Sequence, residues 1–166
     1  MRKGDSRVIK YDDWWIPLQN GLTSYIAQNV IQAETTGDQP PYPFIAIKQT
    51  SPAIGIGQPS ISTDDGTQTI EQDYEMVLSL TAYSDAIESA TDVANKARNY
   101  FLGKGTIELS DAYIAIVDVL PATNRDVFLT IEYERRIGFD VRLRVRDTET
   151  YNIDVIEQVT VNHKEE

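Results

Sequence analysis

The chain has 166 residues, a formal charge of −11 and no cysteine, with 41% hydrophobic and 25% charged residues. That is the profile of a soluble globular chain with one domain and a real core, residues 1–166. Disulfides, thiolate metal sites and cysteine catalysis are excluded, the acidity argues against holding nucleic acid by phosphate neutralisation, and no stretch reaches the roughly 20 apolar residues of a membrane span.

The opening MRKGDSRVIK is basic but leads into no apolar core of signal-peptide length, so residues 1–11 are expected to form a flexible N-terminal segment without an export signal. The spacing of Leu18, Leu22, Tyr25, Ile26 and Val30 predicts a helix over about 14–30. Asp12 or Asp13 would cap it and Pro17 would sit in its first turn. Trp14 and Trp15 would point about 100° apart, so one faces the core. The other packs under the N-terminal segment or against a partner.

A polar link through GDQPPYP leads to a strand from Phe44 to Thr50. Residues 51–69, SPAIGIGQPSISTDDGTQT, are rich in Gly, Pro, Ser and Thr and read as a projecting loop or hairpin arm. Ile54, Ile56, Ile61, Asp64 and Asp65 are its candidate contact residues, with a turn at Asp64-Asp65-Gly66. The GIGQPS within it lacks the third glycine and the following helix of a nucleotide loop.

Residues 70–84 alternate, with Tyr74, Met76, Leu78, Leu80 and Ala82 on one face of a strand. A second helix follows, with Asp85 and Glu88 at capping-box spacing and Ile87, Ala90, Ala94, Ala97 and Phe101 on its buried face. Gly103 and Gly105 would end it. Strands are expected at 112–121 and over 127–147, the latter a strand pair or one bent strand bulged at Gly138. A closing strand over 151–161 would be joined through a hairpin link at Asp147–Thr150, leaving 162–166 as a tail. The expected fold is α+β, a mainly antiparallel sheet flanked by two helices.

Candidate chemistry is sparse. The only histidine, His163, lies in the polar tail, and neither Asp12-Asp13 nor Asp64-Asp65 has EF-hand spacing. No catalytic, cofactor-binding or metal-binding residue is expected, and a carboxylate and magnesium enzyme is the weaker alternative.

Charge is concentrated instead. Five of nine arginines fall between Arg135 and Arg146. On a strand, Ile137, Phe139, Val141, Leu143 and Val145 share the apolar face, while Arg142, Arg144 and Arg146 share the other. These arginines are solvated, or paired with acids of an adjacent strand such as Glu132 and Glu134, or they face the acids of another subunit. Residues 125–146 hold six arginines against four carboxylates, so the rest of the chain is strongly acidic. That asymmetry favours head-to-tail contact between copies, with Arg135, Arg136, Arg142, Arg144 and Arg146 at the subunit interface.

The segments PYPFIAIK, YEMVLSLTAYSDAIESATDVANKARNYFL, ERRIGFDVRLRV and IDVIEQVTV, in this order over about 41–161, resemble the neck and tail terminator proteins of tailed bacteriophages. The resemblance implies a structural virion subunit that forms a ring, usually of six. Such rings cap the tail tube and join it to the head-side connector or stopper proteins, with genomic DNA passing through the lumen unbound. It implies a virion location after assembly in the bacterial cytoplasm, no cofactor and no membrane partner. Another head-to-tail connector, or an assembly subunit of a related tail-like machine, is the alternative.

Overall fold

The computed structural model describes residues 9–129 and 132–153. The expected closing strand beyond Ile153, the tail with His163 and most of the N-terminal segment lie outside the described residues.

Helix α1 spans Tyr11–Ile26, earlier than its periodicity suggests. Lys10, not an aspartate, is the N-cap, and the Asp13 carboxylate accepts the Lys10 backbone N–H at 2.9 Å. Pro17 therefore falls past the first turn. The helix stops because Ala27 turns left-handed (φ 57°), which frees Val30 for a short strand β1, Asn29–Gln32. Strand β2 runs Phe44–Asp64 and β3 runs Thr67–Ser84. Asp65 and Gly66, both at positive φ (41° and 72°), make the tight connection between them.

Helix α2 spans Ile87–Leu102 and buries Ala90, Ala94, Ala97, Tyr100 and Phe101, the face its sequence predicts. Its N-cap is Ala86 without a side-chain bond, so the Asp85–Glu88 capping box does not form; Ser84 Oγ accepts the Ala86 N–H instead, at 3.3 Å. Nor do the glycines end helical structure. A third helix, α3, occupies Lys104–Asp111, because Gly105 lets the turn close on Tyr100: a Cβ there would lie 2.7 Å from the ring.

Strand β4 is Ile114–Val119, β5 is Thr123–Asn124, β6 is Val127–Leu129 and β7 is Glu132–Asn152. The sheet order is β1-β2-β3-β7-β4, with β5 and β6 also on β7; among the described residues only β1 and β2 pair in parallel. β3 and β7 pair without a register shift from Thr67–Asn152 to Ser84–Arg135. Gly138 is thus not a bulge, and Asp147–Thr150 is not a turn but the interior of β7. Glycine is required at 138 because a Cβ would meet the Leu80 carbonyl oxygen at 2.7 Å, and the Arg125 guanidinium lying across the sheet there at 2.6 Å.

All three helices lie on one face of the sheet. The inward residues Met76, Leu78, Leu80 and Ala82 of β3, and Phe139, Val141 and Leu143 of β7, are buried against them. Trp14 and Trp15 are both buried, because Trp14 turns toward the sheet edge while Trp15 packs edge-on against it, ring centroids 6.0 Å apart. Among the described residues, the opposite face of the sheet carries no helix.

Candidate subunit interface

Burial on the helix-covered face ends at Met76 of β3 and Val145 of β7. Beyond them the sheet continues as a ribbon of three strands, about nine further residues of β3 or roughly 30 Å. Of the projecting loop or hairpin arm expected over 51–69, the structure shows the hairpin, its distal half flanked by β7. Strand β2 tolerates Pro52 and Pro59 because past Ile47, where its pairing with β1 ends, it is an edge, and three register shifts against β3, between Gln49 and Ser60, absorb the irregularity. Residues 52–65 are exposed, Ile54 at 60% and Ile61 at 62%.

Directly opposed residues share a face, so the register places the charged groups. Ile54, Glu75 and Arg144 form one row on the open face, and Ile56, Asp73 and Arg146 the next. Ser51, Val77 and Arg142 form a third, beside Asp118 of β4. Arg144 Nη2 lies 2.6 Å from Glu75 Oε1, and Arg146 Nε 2.8 Å from Asp73 Oδ1. The hydrogen bond from Arg146 holds the Asp73 carboxyl below its ordinary value and raises the guanidinium in turn. Among the described residues Arg142 makes no ion pair. Ile61, in register with Ile70 and Glu149, points to the other face. Asp64 closes β2, and Asp65 sits in the turn.

Arg135 and Arg136 lie at the far end of β7 and form a separate cluster. Asp126 accepts the Arg136 backbone N–H at 2.8 Å and Arg135 Nη1 at 2.9 Å, and these contacts hold its carboxyl low. Arg136 reaches Glu134 through Nε at 2.6 Å and lies over the Tyr83 ring, 5.0 Å from its centroid. Tyr83, Phe44 and Tyr42 stack in turn, with Tyr42 donating to Glu134 at 2.5 Å. The five arginines therefore divide between two sites, one where the arm leaves the helical layer and one at the sheet's base.

Sequence periodicity missed Asp73, Glu75 and Arg125. The two acids fall on β3 at the same parity as Val77 and Ser79, a polar face that a period-2 reading does show; their pairing needs the register. Arg125 lies outside any long strand, yet its guanidinium bonds Ser79 Oγ at 2.7 Å, Thr81 Oγ1 at 3.1 Å and Asp140 at 3.0 Å, bridging β3 and β7.

Among the described residues no group of three or more His, Cys, Asp or Glu is placed to hold a metal ion, and no helix is long and apolar enough to cross a membrane. The arrangement offers ion pairs, exposed apolar side chains and strand edges, which is equipment for contact with protein.

No curated protein matches the chain. A solved structure described as "Virion of native gene transfer agent (GTA) particle" contains a chain 18% identical; the match covers 75% of this chain and 84% of that one, at a TM-score of 0.34. The family model of the phage neck terminator proteins matches residues 16–166. With nearly its whole length so matched, the chain belongs to the phage neck terminator family and is a structural protein of the phage neck.

Proposed function

We propose that copies of this subunit assemble head to tail into a ring of six that caps the tail tube and joins it to the head-side connector or stopper, with DNA passing through the lumen. The observation that carries this reading is the three-stranded arm. It extends beyond the helical layer, adds little to the core beyond Tyr74 at its margin, and presents Ile54 and Ile56 beside a row of alternating charge on one open face. A subunit gains no stability from exposing such a ribbon, whereas a neighbour covering it buries the isoleucines and finds both signs of charge in fixed positions.

Arg142, Arg144 and Arg146 are the arginines of this interface. The Arg144–Glu75 and Arg146–Asp73 pairs are exposed, so each guanidinium keeps donors to share with a neighbour's carboxylates. Arg135 and Arg136 serve the base of the sheet and would act at a second contact. An acidic body with neutralised arginines would let DNA slide through the ring rather than hold it by counterion release. The role is structural, in the virion, without catalysis or cofactor, after assembly in the host cytoplasm.

Native mass measured alone and after mixing with purified tail tubes tests the proposal. A species of six subunits, free or on the tube end, is expected. A chain that stays monomeric and leaves tube ends bare would refute it.

A further inference from the structure

The hydrogen-bond pattern of the arm shows which backbone groups its strands leave outward. Ile153 N–H donates to Gly66 O at 2.8 Å, which fixes the alternation between β3 and β7. Residues Asp147, Glu149 and Tyr151 turn their N–H and C=O toward β3, and Thr148, Thr150 and Asn152 turn theirs to the open edge. The same alternation at β4 agrees, since Leu120 N–H donates to Asp140 O on that edge. β4 stops at Ile114, opposite Val145, so among the described residues nothing pairs with the edge from Thr148 to Asn152.

On the other side of the arm, the tight turn makes Asp64 and Thr67 a bonded pair. Ser60, Ser62 and Asp64 then face β3, and Ile61 and Thr63 turn their backbone groups outward. Below Ser60 this edge is blunted by Pro59, Pro52, Gly57 at φ 68° and the register shifts. From Ser60 to Asp64 it is regular. Only the tip therefore has two clean edges, and they stand level: Ile61, Ile70 and Glu149 are in one row.

We infer that the arm tips of adjacent subunits join edge to edge, Ser60–Asp64 of one copy adding to Thr148–Asn152 of the next as a parallel strand. This rests on the ring reading above and names its contact. β2 and β7 run in the same direction, each being antiparallel to β3, so a rotation about an axis along the arm brings them together parallel. The two edges lie on opposite sides of one ribbon, so the contact is heterologous and repeats from copy to copy until the ring closes. Outward groups at 61 and 63 interleave with those at 148, 150 and 152, giving roughly four interchain hydrogen bonds in the parallel pattern. Level pairing sets Ile61 beside the neighbour's Glu149.

The test uses paired cysteines in a chain that has none of its own. Within one subunit Ile61 and Glu149 are separated by β3, about two strand spacings or roughly 9.6 Å, beyond disulfide reach. Ile61→Cys with Glu149→Cys is assembled on tail tubes and oxidised, then run under denaturing conditions, with native mass recorded in parallel. A ladder of linked subunits is expected, together with loss of rings in Thr150→Pro but not in Thr150→Val, which keeps the outward N–H. Rings of normal mass without a ladder, or normal rings in Thr150→Pro, would overturn the edge contact while leaving the ring intact. Absence of any ring in the wild-type chain would overturn both.

Discussion

Gly21 offers a test in which helix propensity and packing predict opposite signs. It lies in the interior of α1, where replacing glycine by alanine ordinarily stabilises by about 1 kcal/mol. In this fold a Cβ at position 21 would stand 2.1 Å from Tyr100 Oη and 3.0 Å from Glu108 Oε2. Tyr100 cannot swing aside. It is fully buried, with Gly105 against its ring, Tyr25 and Phe101 at centroid distances of 5.5 and 5.3 Å, and its hydroxyl bonded to Glu108 at 3.1 Å. Overpacking costs about 1–3 kcal/mol and the strained hydrogen bond about 1 more. After subtracting the propensity gain, Gly21→Ala should destabilise the subunit by about 1–3 kcal/mol, lowering Tm by roughly 3–10 °C. Thermal and urea unfolding of the variant measure this directly. Adding Tyr100→Phe removes the oxygen in the way, so the double variant should lie above the sum of the two single effects. A Gly21→Ala subunit as stable as wild type, or more so, would refute the packing argument.

Replacing Arg142, Arg144 and Arg146 together by Glu should leave a folded subunit of lower Tm that forms no rings on tail tubes; sedimentation decides, and normal rings would make the arginines a solvated face. Restoring the intrachain pairs by adding Asp73→Arg and Glu75→Arg should recover Tm without recovering rings. Deleting Ile54–Thr67 should preserve the fold, since the buried part of β3 starts at Met76, yet abolish joining of heads to tails in an in vitro assembly assay. Asp126, held below the ordinary carboxylate value of 3.8 chiefly by the Arg136 N–H, contributes stability that is present above that value and lost as pH falls through its lower folded one. Asp126→Asn should therefore lower stability by about 1–3 kcal/mol near neutral pH, a gap that begins to narrow only below about pH 4 and closes once pH has fallen through the lower folded value, as pH-dependent unfolding will show.

The parts of the fold written in local periodicity were legible. The alternation of Met76, Leu78, Leu80 and Ala82, and the alanine face of α2, are set by what each element buries and survive any choice of partner. The turn at Asp65-Gly66 was legible for a similar reason, because a two-residue connection needs positive φ and these residues accept it. What failed depended on contacts that periodicity does not encode. α3 starts at the glycines that would ordinarily end a helix, because Gly105 fits against the Tyr100 ring. Asp147–Thr150 looked like a link between strands because its side chains are polar, yet it is held in β7 by β3, itself part of an arm with no helix over either face among the described residues. Polar alternation on a two-sided ribbon carries no burial signal, so its length cannot be read locally.

The same reasoning changes the meaning of the arginine row. Read along β7, three arginines on one face are a basic stripe, and a basic stripe in the path of DNA would retain it. Read across the sheet, Glu75 and Asp73 stand directly opposite Arg144 and Arg146 at 2.6 and 2.8 Å, so those two rows are neutral, while the rows nearer the tip carry Glu71, Asp147, Glu149 and Asp64 with no base in register. The acids come from β3, some seventy positions earlier, and no window along the sequence contains both partners. Charge concentrated on one strand is thus matched by charge on its neighbour, and the arm is suited to a protein surface of alternating sign rather than to a polyanion. Arg142 is the exception among the described residues, opposite Val77 instead of an acid and beside Asp118 on the next strand. If one arginine distinguishes the assembled state from the isolated subunit, it is this one: Arg142→Ala should weaken rings on tail tubes while leaving Tm unchanged, and a fall in Tm without an effect on rings would assign it to the subunit's own fold.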